Sequence, residues 1–496
     1  MKKHLLSCTI AGLSLTCSNI YASDKPNIVY LLADDLGYGD ISCLNATGKI
    51  STPNIDALGK AGMIFTDAHS AAAVCTPSRY GILTGRYPWR SPLKHGVLKI
   101  KGKKNATEAG CMIMIDEKTL TIGSFLKSQG YDTAAFGKWH LGLKYHFPEG
   151  KSISNNAAPV GTKIINGPIT RGFDIFKGYH HAREMRTWIE QDKVTENLKS
   201  PEEMLEKITS AAINYLEEPQ RKTKPFFLYI PFNSPHTPIL PNSQWKGKSG
   251  INDYADYVME TDDAVGKITK AIKNAGLEKN TIIIFTSDNG CSHKANLEEL
   301  KAAGHNPSYI FRGSKSDIWE GGHRIPFIIK WDGVVKAGTE CKDPICQTSL
   351  LGTVADILNV KLPTTSGVDS FSIVKDLRNA NNQDPTHSVI IHQSIKGNLS
   401  IRKGNWKFIA GNGSCGWTPG GDDSLFQLYN MRTDPEEQKN IYSSNPETIS
   451  TLKAELENSV KEGYTVPGKS GQNDTPVKIY TIKRKKHKGR KRKKKN

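Results

Sequence analysis

Two acidic pairs, Asp34-Asp35 and Asp288-Asn289, each close an apolar run, in NIVYLLADDLGYGD (27–40) and NTIIIFTSDNG (280–290). Hard oxygen donors of this kind suit Ca2+ or Mg2+ rather than zinc. A lone DD or DN is more often a turn or a helix cap, but its repetition after two matched runs points to one shared cation. A third segment, Cys75-Thr76-Pro77-Ser78-Arg79, puts a cysteine where Pro77 predicts the first turn of a helix, beside backbone N–H groups that favour an anion. Arg79 follows one turn later, on the same face. A thiolate is a soft ligand, mismatched to a hard cation, so the position is prepared for a negatively charged oxygen group rather than for sulfur. Lys138 and His140 in YDTAAFGKWHLG, His236 in KPFFLYIPFNSPHTP and Lys315 in FRGSKSDIWEGG are further polar groups beside apolar segments. Each of these alone also fits a solvated loop, a turn or a surface position.

The elements that must position these groups follow from periodicity. The apolar runs are the pattern of strands buried on both faces, and helical stretches such as TPNIDALGKAGM and PEEMLEKITSAAINYLEE lie between them. Strands alternating with helices predict an α/β fold, a large mixed, mostly parallel sheet sandwiched by helices. In such sheets ligands gather beyond the carboxyl ends of the strands, where every polar cluster above falls. From His387 the texture changes to short alternating segments, HSVIIHQSI, NLSIRKGNWKFIAG and LFQLYNM, which predict a small C-terminal antiparallel sheet, and ISTLKAELENSVKEG predicts a closing helix. The expected organisation is a signal peptide over 1–22, a catalytic unit over 23–386, a subdomain over 387–465 and a disordered basic tail over 466–496. No internal repeat is present.

The leader MKKHLLSCTIAGLSLTCSNIYA has two lysines, an apolar stretch and a small residue at Ala22, the pattern of a bacterial secretory signal. Export to the periplasm or medium is therefore expected, and no later apolar run is long enough to span a bilayer. Seven cysteines remain after such a cleavage, Cys43, Cys75, Cys111, Cys291, Cys341, Cys346 and Cys415. An odd count leaves one thiol without a partner in an oxidising compartment; if that is Cys75, the other six can pair or stand as buried thiols. Residues 483–495, KRKKHKGRKRKKK, hold eleven Lys or Arg and no acid, and taking these from the formal +18 leaves +7 for the rest. The body is thus mildly basic, with no composition that asks for specific nucleic-acid binding, while the tail reads as a solvated arm suited to polyanions such as acidic polysaccharides.

Cys-x-Pro-x-Arg followed by YGILTGRY is the maturation signature of the type I, formylglycine-dependent sulfatases of the alkaline phosphatase superfamily. The chain resembles that family through PNIVYLLADDLGYGD, TPNIDALGKAGMIFTDAHSAAAVCTPSRYGILTGRYP, GKWHLG, PHTP, TSDNG, WEGGHRIPFI and LFQLYNMRTDPEEQKNI, in that order. The resemblance implies that a formylglycine-generating maturation enzyme oxidises Cys75 to Cα-formylglycine. It implies that Asp34, Asp35, Asp288 and Asn289, with residue 75, hold the cation, and that Arg79 and His140 stabilise the modified residue. Lys138, His236 and Lys315 are then expected to grip sulfate, His236 to protonate the departing alcohol, and His140 to take a proton as the sulfated intermediate collapses. His323 is expected to be a packed histidine; Trp417, on the small domain's turn, could stack on a sugar ring, but a packing tryptophan is the expectation.

GRYPWRSPLKHGVL and GNGSCGWTPGG resemble the arylsulfatase A and N-acetylgalactosamine-6-sulfatase branch, which implies a sulfated carbohydrate as substrate, with a 6-sulfate favoured. GYHHAREMRTWIEQDK departs from that branch, so His180, His181, Arg183 and Glu184 are candidate specificity residues. Two rival functions remain at this point: a phosphodiesterase or phosphonate hydrolase of the same superfamily, and a non-catalytic binder of acidic glycans.

Overall fold

The computed structural model describes residues 25–100, 108–381, 386–387, 389–421 and 424–480. The leader and the basic run 483–495 lie outside the described residues. The central strands are β1 (Asn27–Ala33), β2 (Asp132–Lys138), β3 (Ile175–Tyr179), β4 (Phe226–Pro231), β5 (Thr281–Ser287) and β6 (Phe327–Lys330). They lie side by side in the order β6-β5-β1-β4-β2-β3 within a sheet of 13 strands. From β5 to β3 every pairing is parallel, with Val29 opposite both Leu228 and Ile283. β6 is antiparallel to β5, and beyond β3 the sheet continues through antiparallel neighbours from Thr187–Glu190 outward. The parallel run therefore occupies the centre, where crossovers carry the helices, and the periphery is mostly antiparallel, apart from the edge strand Thr339–Cys341, which pairs parallel with Met63–Phe65.

Both faces of β1 are covered, which is why its sequence shows no alternation. Ile28, Tyr30 and Leu32 pack on one side with Tyr80, Leu83 and Leu351. Val29, Leu31 and Ala33 pack on the other with Tyr254, Val258 and Val265. The first side carries α2 (Cys75–Thr84), and the second carries α1 (Pro53–Ala61), α3 (Met204–Glu217) and the long α4 (Asp253–Asn274). Apolar burial of this kind contributes about 25 cal/mol per Å² and leaves the strand ends as the places where the chain turns polar.

The second sheet is antiparallel, β7 (Ile390–Gln393), β8 (Leu399–Lys403), β9 (Trp406–Ile409) and β10 (Gln427–Asn430) in chain order. α5 (Pro446–Glu462) buries Ile449, Leu452 and Leu456 against it. Its edge reaches the loop before α2: Gln393 N donates to Ala71 O (3.2 Å) and Ala73 N donates to Gln393 O (2.9 Å). The small sheet thus holds the approach to residue 75.

One expectation changes. A disordered tail from 466 does not describe residues 466–480: Val466 N donates to Val368 O (3.1 Å), Asp474 N donates to Arg90 O (2.9 Å), and Arg86 pairs with Asp474 at 2.7 Å. Val477, Ile479 and Tyr480 pack on the small-sheet core. The segment is too polar to show a periodic signal, and its order comes from long-range partners. Of the two states left open for the cysteines other than Cys75, the structure has the thiol: all seven from Cys43 to Cys415 are free. No helix among the described residues is long and apolar enough to cross a membrane.

Candidate active site

β1 ends at Ala33 and β5 at Ser287, paired in register, so Asp34-Asp35 and Asp288-Asn289 leave the sheet side by side. Asp35 has φ 67°, a left-handed conformation that costs a non-glycine residue energy. The turn is held by Asp288 Oδ1, which accepts from Asp35 N at 3.2 Å, and by Asn289 Nδ2, which donates to Asp35 Oδ1 at 2.8 Å. Gly290 is required here by contact: a Cβ on it would sit 1.9 Å from Gly321 O.

Cys75 is the first residue of α2, 2% exposed, and its Sγ lies 3.3 Å from His140 Nδ1. Arg79, one turn on, donates through Nε to Asp288 Oδ2 (2.9 Å) and through Nη1 to Lys138 O (2.8 Å), fixing the helix to two strand ends. Lys138, the last residue of β2, places Nζ 2.5 Å from Asp34 Oδ2. Lys315 Nζ donates to Asp35 Oδ2 at 2.7 Å. His236, beyond β4, has Nε2 3.7 Å from the same oxygen, while its Nδ1 faces Thr237 O. The six catalytic candidates and the four oxygen-donor residues thus converge at one end of the parallel strands.

The donor set fits a hard cation. Asp34 Oδ1 and Asn289 Oδ1 are buried with no hydrogen-bond partner, a costly state for neighbouring polar atoms that face no donor. Ligand atoms of Asp34, Cys75 and Asp288 lie within 4.8 Å of one another, as do those of Asp34, Asp35 and His236. Apart from the residue 75 thiol and the His236 imidazole these are carboxylate and amide oxygens, so Ca2+ or Mg2+ is the match, and sulfur is the misfit.

Electrostatics set the protonation states. Burial alone would raise the Asp34 pKa, but Lys138, then His236, Arg79 and Lys315 outweigh it and hold the group well below the usual carboxylate range. Burial, then the charge of Asp34, pushes Asp288 up. Burial, then His181 and Lys138, drives His140 well below its ordinary value, so the ring is neutral. His140 Nε2 lies 3.1 Å from Leu98 O. A carbonyl only accepts, so Nε2 carries the proton and Nδ1 presents a lone pair to residue 75. His140 also holds φ 52°. Burial, then Lys138, lowers His236 to about 4.

The four specificity candidates separate. His180 and Glu184 are buried together, with His180 Nδ1 3.3 Å from Glu184 Oε1 and Nε2 3.5 Å from Cys111 Sγ. His181 lies with its ring 4.6 Å from that of His140. Arg183 is exposed, and its backbone N donates to His181 Nδ1 at 3.1 Å. Leu98 and Cys111 were invisible to sequence reasoning, because a backbone carbonyl and an isolated thiol carry no pattern. Trp417, expected to pack, is exposed.

A second buried cluster joins the large and small sheets. His323 and His392 stack at 3.7 Å and 15°, His69 Nδ1 is 3.1 Å from His323 Nδ1, and Lys407 Nζ lies 2.9 Å from Glu320 and 2.7 Å from Glu437.

With the geometry in place, comparison with known proteins is direct. The sulfatase family model matches residues 26–360. An N-acetylgalactosamine-6-O-sulfatase of Bacteroides thetaiotaomicron is 32% identical over 88% of this chain and 94% of its own, and human arylsulfatase A is 28% identical over 91% and 89%. A solved structure from work on glycosaminoglycan metabolism by Bacteroides thetaiotaomicron superposes with TM-score 0.75 at 30% identity, covering 88% of this chain and 99% of that one. Ps i-CgsB in complex with k-i-k-neocarrahexaose gives TM-score 0.71 at 25% identity, covering 91% and 96%.

Proposed function

From the premise that this chain belongs to the sulfatase family, and so is a sulfuric ester hydrolase, we propose that it removes sulfate from a sulfated carbohydrate through a nucleophile made at residue 75. In this proposal an exported protein has Cys75 matured to Cα-formylglycine, and Asp34, Asp35, Asp288, Asn289 and the modified residue hold one Ca2+ or Mg2+. One observation supports it: Asp34 and Asn289 each keep a buried oxygen without a partner, and ligand atoms of Asp34 and Asp288 lie within 4.8 Å of a residue at a helix N-terminus whose coded thiol is the wrong ligand. When bound, the ion supplies positive charge that favours the deprotonated hydroxyl of residue 75.

This chain's own residues supply the rest. One hydroxyl of the hydrated aldehyde gives its proton to Asp288, whose carboxylate lies within 4.8 Å of the residue 75 side chain, and attacks sulfur as the S–O bond to the sugar oxygen breaks. Lys138 and Lys315 bear on the sulfate oxygens and offset their charge in a buried setting. His236 is neutral in the free protein; the anionic sulfate arriving beside it raises its proton affinity, and Nε2 then delivers the proton to the departing alcohol. His140 Nδ1, 3.3 Å from the residue 75 side chain, takes the proton of the remaining hydroxyl. The C–O bond to sulfate breaks, inorganic sulfate leaves, and the aldehyde rehydrates. Arg79 holds residue 75 and Asp288 in common register.

The 6-sulfated amino sugar is the favoured substrate because the relative named for that activity aligns over 88% of this chain. His181 and Arg183 are proposed to meet the sugar, with Glu184 holding His180 behind them. The direct test is mass spectrometry of the residue 75 peptide, where conversion removes about 18 Da, followed by sulfate release from a panel of sulfated monosaccharides. An unconverted, active enzyme would overturn the nucleophile assignment, and faster turnover of phosphate than sulfate esters would overturn the reaction.

A further inference from the structure

Trp417 is the one exposed tryptophan of the eight in the chain, with 47% of its surface accessible. Its position is fixed by the segment that carries Lys315. Trp417 N donates to Ser316 Oγ and to Asp317 Oδ1, each at 2.9 Å, and Thr418 N donates to Asp317 Oδ1 at 3.2 Å. The approach is so close that a Cβ on Gly416 would sit 2.2 Å from Asp317 Oδ1. The same segment donates from Ser316 N to Ala73 O (2.7 Å), two residues before residue 75, and from Lys315 N to Cys291 O (2.8 Å), two residues after Asn289. A turn fixed this firmly, whose large side chain stays in water, is built to present that side chain.

The surroundings state what it presents it to. The His293 ring meets the indole at 5.1 Å and 84°, an edge contact that braces the ring without stacking on it. Two exposed lysines flank the segment: Lys294, next to His293, and Lys396, next to Ile395, whose N donates to Ser316 O at 3.0 Å. A flat apolar face on a turn whose adjoining segments carry exposed cations matches a pyranose, whose axial C–H bonds give an apolar face and whose acidic substituents project at the edge.

We propose that Trp417, with Lys294 and Lys396, forms an outer subsite that stacks the sugar next along the chain from the sulfated one, in an acidic oligosaccharide. This rests on the sulfatase reading of the same site. In the full-length matured enzyme, KM would be compared for N-acetylgalactosamine 6-sulfate and for a tetrasaccharide ending in that sugar. Trp417→Ala raises the tetrasaccharide KM about ten-fold relative to its effect on the monosaccharide, as loss of one ring stack does, and Trp417→Tyr restores most of it. Equal changes on both substrates, or none, overturn the subsite. If the wild type releases sulfate from neither, the 6-sulfated amino sugar reading fails and the subsite is tested by binding. The tetrasaccharide then quenches tryptophan emission of Cys75→Ala protein, and adding Trp417→Phe abolishes the quench; a quench that persists overturns the proposal.

Discussion

Two buried charge clusters occupy this molecule, one at the carboxyl ends of the central strands and one between the large and small sheets. Each sets three carboxylates against three cations: Asp34, Asp35 and Asp288 with Arg79, Lys138 and Lys315, and Asp67, Glu320 and Glu437 with Arg324, Arg402 and Lys407. Each also groups His, Asp or Glu atoms within 4.8 Å. In the first, oxygens of Asp34 and Asn289 remain unpaired beside left-handed Asp35 and His140. In the second, His69 Nε2 is tied to Asp67 at 2.6 Å and His323 Nε2 to Ile318 O at 3.1 Å, and the His323 and His392 rings are nearly parallel. Near-parallel imidazoles cannot both aim in-plane lone pairs at one ion, even though His392 Nε2 has no partner. Burial and charge are common to both, and Glu437 Oε1 of the second cluster also lacks a hydrogen bond but lies 2.7 Å from Lys407 Nζ; what distinguishes the strand-end cluster is that its partnerless Asp34 and Asn289 oxygens belong to a donor set whose Asp34 and Asp288 atoms lie within 4.8 Å of the residue 75 thiol.

The contrast predicts function lost without stability in one region and stability lost without function in the other. The largest effect belongs to Cys75→Ala, which lowers sulfate release by at least about 10⁴-fold while thermal melting stays at the wild-type temperature. Next, Asp288→Asn lowers release about 10³-fold. Because burial and then Asp34 push Asp288 up, its ionised form is unfavourable in the ion-free fold. The variant therefore melts no lower than wild type in chelator, and it loses the rise in melting temperature that added Ca2+ gives the wild type.

In the second cluster, Glu320→Gln leaves Lys407 and Arg324 short of a buried partner and costs about 3 kcal/mol in urea unfolding, with KM unchanged for the folded protein. A stable Glu320→Gln with impaired turnover would break the comparison. The smallest effect concerns His180, beside the first cluster but paired like the second. Burial lowers its pKa, yet hydrogen bonds to Cys111 and Glu184 outweigh this and raise it to about 9. The proton's contribution is full below the unfolded value near 6.5 and fades as pH rises toward 9, so stability falls across that window. Glu184→Gln flattens this loss, measured as unfolding free energy against pH.

Much of the site was legible because it depends on local features. Apolar runs ending in acids mark strand ends, and Cys75 and Arg79 lie one turn apart on a helix that Pro77 begins. The small C-terminal sheet showed in its short segments separated by Gly-rich turns, although its strands are buried at nearly every position. His180 and Glu184 were picked as a specificity group with His181 and Arg183, but the structure turns the first two inward as a pair. Nothing local distinguishes a histidine that meets a ligand from one that meets a glutamate four residues on.

The amino-acid sequence by itself determined which residue types stand at the ends of which strands and helices, because hydrophobic periodicity and turn chemistry act within a few residues. The tertiary structure alone decided which of those groups would keep an unsatisfied atom. Leu98 O orients His140, the 466–480 segment docks on Arg90 and Val368, and the Asp317 carboxylate holds Trp417 in water. Each of those outcomes depends on partners tens to hundreds of residues away, and desolvation and hydrogen bonding are settled only when such partners meet.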